Sequence, residues 1–180
     1  MSAKRAFCAT ISQMKVVFQV FWQICRLKQS PEFVPTQGWF VAVVVIANLF
    51  CSLLVSMTAD TGLTLLPAAT SIVVGQTTTA ALTWIALNLR ELGDRFTATI
   101  TALFGCDLII TAAFAVVLPL TSLVPAMVTL VFLLFVLWSI SVAGFILHRS
   151  LKTHLAIGIM VALGMAVMSV ALSQLAIGAG

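Results

Sequence analysis

Charge is what this sequence has least of. Nine Lys and Arg and five Asp and Glu make up 8% of its 180 residues, and 62% are hydrophobic. A soluble domain carries about 25% charged residues, so this chain has too few charged groups to cover a water-exposed surface. Nor can 180 residues bury so much apolar side chain in one soluble core. The shortage excludes a soluble domain and predicts a polytopic membrane protein, with the lipid bilayer as its first partner. The net charge of +4 would suggest nucleic acid in a soluble protein. Here topology accounts for it better, and no nucleic-acid partner is expected.

Metal and redox signatures are lacking too. The four cysteines, Cys8, Cys25, Cys51 and Cys106, include no C-x-x-C pair. They read as small buried hydrophobes. His148 and His154 have no carboxylate or cysteine near them in sequence. No metal site and no cofactor is expected. Gly-x-Ser-x-Gly, His-Glu-x-x-His, a Walker loop, a dinucleotide fingerprint and paired intramembrane aspartates are all missing. Catalysis needs a nucleophile with a base, or clustered ligands, so the expectation is a protein that is not an enzyme.

What the chain does have is long apolar runs. A spanning helix takes about 20 mostly apolar residues. Five stretches qualify: Trp39 to Met57, Leu63 to Leu89, Phe96 to Leu118, Pro125 to Leu147 and Leu155 to Ile177. Pro67 and Pro125 lie where a helix tolerates proline, in the first turn, and Pro119 is expected to end the third run. The fold class is therefore all-α, a polytopic bundle of five transmembrane helices over residues 36–180. Residues 1–35 form an N-terminal amphipathic helix and linker.

The basic residues test this threading. Lys4, Arg5, Lys15, Arg26 and Lys28 precede the first span, Arg90 and Arg95 lie between the second and third, and Arg149 and Lys152 between the fourth and fifth. With five spans, all nine fall on one side and the opposite loops hold only Asp60. Positive charge stays on the cytoplasmic side, so the predicted topology is N-in and C-out. Residues 1–30 do not read as a signal peptide, because Lys15 breaks the apolar run. At helical spacing Phe7, Ile11, Met14, Phe18, Phe21 and Cys25 line one side, and Ser12, Lys15, Gln19, Gln23 and Arg26 the other. A helix lying in the cytoplasmic interface fits, with Lys15, Arg26 and Lys28 toward the headgroups. Packing on the protein's own bundle is the compatible alternative. Ser30-Pro31-Glu32 then breaks the chain before the first span.

Asp107 stands out. It lies about eleven residues into the third span, roughly 16 Å deep at 1.5 Å per residue, close to the midplane of a hydrocarbon core about 30 Å thick. An acid there costs roughly 2.5–3.5 kcal/mol on insertion scales and is by default a functional-site hypothesis. Neutrality, a hydrogen bond or a partner protein would lower that cost. At matching depth the chain offers Asn48 in the first span and Gln76 in the second. Gln76 shares a face with Ala69, Thr79, Ala80 and Thr83. The expected polar network is Asp107, Gln76, Asn48 and Thr79. An interface with another protein and a proton or ion path remain open beside it.

Two faces carry small residues at every fourth position, the pattern that lets helix backbones approach. One is Thr97, Thr101 and Gly105 in the third span, and the other Gly158, Ala162 and Ala166 in the fifth.

Residues 84–176 resemble the Yip-type (Ypt/Rab-interacting) five-span membrane-domain family in its bacterial form. The segment Arg95-Phe-Thr-Ala-Thr-Ile-Thr-Ala-Leu-Phe-Gly105 resembles the opening of that family's third span. The segment from Leu134 to His148, followed by a short basic loop, resembles the fourth. The aspartate-tyrosine-glycine-proline motif of eukaryotic members is missing. The resemblance implies a membrane scaffold or adaptor in the bacterial inner (cytoplasmic) membrane and brings no catalytic residues. The leading expectation is thus a non-enzymatic scaffold or accessory subunit that binds another integral membrane protein or itself. The alternatives are a small transporter or proton-linked permease using Asp107, and a lipid-binding or membrane-organising protein.

Overall fold

The computed structural model describes residues 19–28, 34, 36–58, 65–121 and 125–178. Lys15 and Asp60 lie outside them, as does the apolar side formed by Phe7, Ile11, Met14 and Phe18. Five long helices follow in order: α1 Gly38–Thr58, α2 Leu65–Asn88, α3 Phe96–Thr121, α4 Pro125–Leu151 and α5 Leu155–Gly178. The shortest has 21 residues, about 31 Å at 1.5 Å per residue. All five are long and apolar enough to cross a membrane. Their surfaces agree: Ile46, Phe50, Leu134, Leu137, Met160 and Val170 are exposed, which suits lipid and not water.

The helix ends differ from expectation where local chemistry allows. Pro119 does not stop α3, which runs on to Thr121 with the proline inside its last turn. There it removes one helical bond, to Ala115 O, and the helix ends two residues later. The helix α4 continues past Leu147 through His148 and Arg149 to Leu151. The helices α2 and α4 close with matching turns. Leu92 N donates to Leu87 O (2.9 Å) and Thr153 N to His148 O (3.2 Å), each across a left-handed residue, Glu91 at φ 58 and Lys152 at φ 51. These turns satisfy carbonyls that a helix end leaves bare, at about 1 kcal/mol of strain for each non-glycine residue in that conformation.

Each helix packs chiefly on two neighbours. The order around the bundle is α1, α3, α4, α5, α2, and α2 closes the ring on α1. The turns holding Arg90, Arg95 and Lys152 share one end, where Leu87, Leu147 and Leu151 pack together beside Leu92 and Phe96. Thr99 donates to Ser150 (2.8 Å) across α3 and α4 at that end. The central helix is α3. Of its apolar span 44% is buried, against 6% for α2.

The N-terminal segment belongs to this core. Residues 19–25 are helical, and Phe21, Ile24 and Cys25 are buried with α3 and α4 side chains including Phe104, Cys106 and Val142. The Trp138 indole donates to Cys25 O (3.1 Å), and Phe21 stacks on Phe40 with ring centroids 6.3 Å apart. For these residues the packing on the bundle, which is compatible with a place in the lipid interface, is what the structure shows. Arg26 and Lys28 remain exposed.

Candidate functional site

The ring of helices lines a half-open cavity of about 330 Å³ to which all five contribute. Ser52 comes from α1; Gly75, Gln76 and Thr79 from α2; Phe104, Cys106 and Asp107 from α3; Ser139 and Ala143 from α4; Met165, Ala166 and Ser169 from α5. The volume falls within the range of small-molecule pockets, about 300–1,000 Å³. Its wall is mainly apolar, so its few polar groups decide what it accepts.

Those groups are organised around Asn48, which is fully buried. Its amide nitrogen donates to Asp107 Oδ2 (3.0 Å) and to the Phe104 carbonyl (2.9 Å). Its amide oxygen accepts from Gln76 Nε2 (3.2 Å) and Ser52 Oγ (3.1 Å). Both amide hydrogens and both lone pairs are used, which fixes the orientation of the group. The result is a directed chain from Gln76 through Asn48 to Asp107, linking α2, α1 and α3. Asp107 is thus held by one oxygen, and among the described residues no donor reaches its other oxygen. The buried Oε1 of Gln76 also lacks a donor among them.

Thr79 is not part of this chain. Its hydroxyl lies 3.0 Å from Ser169 Oγ and 3.0 Å from Gly75 O, and Ser169 reaches the same carbonyl at 3.1 Å. One turn further along α5, Ser173 donates to Ser71 O (3.0 Å). This is a separate polar seam between α2 and α5. Its signal in the sequence was Ser169 and Ser173 four apart in an apolar helix. Ser52, one turn beyond Asn48, carried a similar signal for the central chain.

The two small-residue faces differ in what they meet. At Gly105 the nearest neighbour is a side chain. A side chain there would run into the Phe21 ring, with Cζ only 2.6 Å from an added Cβ. The glycine is a socket for the N-terminal segment. Thr101, on the same face, is buried and donates to Thr97 O (2.6 Å) within its own helix. Gly158 does make a close helix crossing, with α4. An added Cβ there would meet the Gly144 carbonyl and lie 2.8 Å from His148 N. Gly144, not singled out in the sequence, is its counterpart, 2.8 Å from the Ile159 Cα by the same measure. Ala162 is buried on this face, and Ala166 lines the cavity.

Among the described residues no group of three His, Cys, Asp or Glu side chains gathers to hold a metal. Nor does any Lys, Arg or His line the cavity. The arrangement can accept hydrogen bonds and attract positive charge. No family model, curated protein or solved structure matches this chain.

Proposed function

We propose that this is a non-enzymatic, multi-pass protein of the bacterial inner membrane that binds a small solute in its central cavity and passes it across, in the manner of a small or proton-linked permease. Asp107 is its working group. One observation carries this reading: a carboxyl group deep in the central helix, tethered by one oxygen, lines a cavity walled by all five helices. Buried acids in spanning helices face cavities and mark solute or proton paths. One support for the accessory-subunit reading was an aspartate open to a partner outside its chain. Asn48 occupies that role from inside the bundle, which favours the cavity. The basic turns of Arg90, Arg95, Arg149 and Lys152 support an N-in, C-out orientation. The Yip-type resemblance supports a membrane-embedded role and supplies no ligand.

The test is transport in proteoliposomes with a trapped pH dye. A panel of amines, alcohols, amino acids and carboxylates is added across an imposed pH gradient. At least one solute is expected to move faster than in protein-free vesicles, and Asp107→Asn is expected to abolish the difference while the protein elutes and melts normally. Failure of every solute to exceed the empty vesicles overturns the permease reading.

A further inference from the structure

The hydrogen inventory of the cavity narrows what it takes, granted that the cavity is the working site. The two amide hydrogens of Asn48 are committed to Phe104 O and Asp107 Oδ2. Ser52 spends its hydroxyl hydrogen on Asn48 Oδ1. Thr79 and Ser169 spend theirs within the triad they form with Gly75 O. The neutral donors left on the wall are the Ser139 hydroxyl and the second amide hydrogen of Gln76. What remains free is a set of acceptors: Asp107 Oδ1, Gln76 Oε1 and the lone pairs of the Ser52, Thr79 and Ser169 hydroxyls. Among the described residues one acid and no base line the space, and Ile72, Leu103, Ile110, Val142 and Met165 are among the apolar side chains of its wall.

From this we infer that the cavity is a binding site for a small lipophilic amine. The ammonium group donates to Asp107 Oδ1 and to a neighbouring hydroxyl, and the apolar body lies against the aliphatic wall. An acceptor-rich wall repels anions and offers an acceptor-only ligand just the Ser139 hydroxyl and the Gln76 amide, whereas an ammonium has three donors and no acceptor. A buried carboxylate and a cation also compensate each other, which a neutral ligand cannot do. The size follows from the volume. About 330 Å³ equals roughly eleven waters at 30 Å³ each, or a ligand of about ten non-hydrogen atoms.

The experiment is calorimetric titration of the full chain in mild detergent with three probes of one shape: 2-phenylethylamine, 2-phenylethanol and phenylacetate. The amine is expected to bind about tenfold or more tighter than the alcohol, as a charge-assisted pair exceeds a neutral one, with phenylacetate weakest. Asp107→Asn keeps a group that can meet Asn48, and is expected to remove the preference for the amine. Ala166→Phe fills the cavity from α5, away from the polar chain, and is expected to abolish binding of all three. Equal binding of amine and alcohol, an amine preference that survives Asp107→Asn, or no binding at all overturns the inference. The result separates from the transport test: amine binding without flux rejects the permease, and flux of neutral solutes without amine preference rejects the amine site alone.

Discussion

The close crossing of α4 and α5 gives the sharpest test of the fold. At Gly158 an added Cβ would lie 2.8 Å from both the backbone N and the Cβ of His148, with the Gly144 carbonyl also in its way. Ordinary contact begins near 3.4 Å, so α5 must withdraw by at least about 0.6 Å. Backbone atoms of a neighbouring helix cannot rotate aside as a side chain would. Overpacking of this kind costs about 1–3 kcal/mol. Gly164 is the internal control. It lies on the same helix, and nothing approaches an added Cβ within 4 Å, so alanine there gains helix propensity of up to about 1 kcal/mol. Gly158→Ala and Gly164→Ala should therefore differ in stability by about 2–4 kcal/mol in favour of the latter. The assay is unfolding in mixed micelles titrated with sodium dodecyl sulfate and followed by tryptophan fluorescence. A double variant, Gly144→Ala with Gly158→Ala, should cost less than the sum of the single changes, because one separation of the helices relieves both clashes. Equal stability of Gly158→Ala and Gly164→Ala would refute the crossing.

Other consequences follow from the core and the polar chain. Asn48→Ala removes three links between helices, to Phe104 O, Asp107 and Gln76. At about 0.6 kcal/mol for each such bond in a membrane it should destabilise by about 2 kcal/mol in the same titration, and a change within error would show that Asn48 is not the hub. Phe21→Ala empties the socket at Gly105. At about 3 kcal/mol for a lost core phenylalanine it should speed maleimide labelling of Cys25 and Cys106 roughly a hundredfold, mapped by mass spectrometry; unchanged labelling would mean that the segment is not docked. For topology, alkaline phosphatase fused after Gly180 should be active and a green fluorescent protein fused there dark, and the reverse pattern would invert the proposed orientation.

The sequence by itself determined the class of object. With so few charges the chain has to use lipid as its solvent, and the length of each apolar run sets a helix of spanning length. The five helices therefore fall close to where the sequence puts them, and Asp107, Asn48 and Gln76 could be matched by counting depth along each run. What the runs could not reveal is which helices are neighbours, because spans that are apolar all round show little periodicity to say which side faces protein. The ring order α1, α3, α4, α5, α2 arises from shape. Gly144 and Gly158 permit one close crossing, and Gly105 admits an aromatic ring from a segment more than eighty residues earlier. That order alone decides that Thr79 pairs with Ser169 across α5 and stays out of the Asn48 chain. It also decides that Asp107 meets a cavity inside its own bundle, since a carboxyl group's neighbours depend on side chains brought together from five separate stretches of chain.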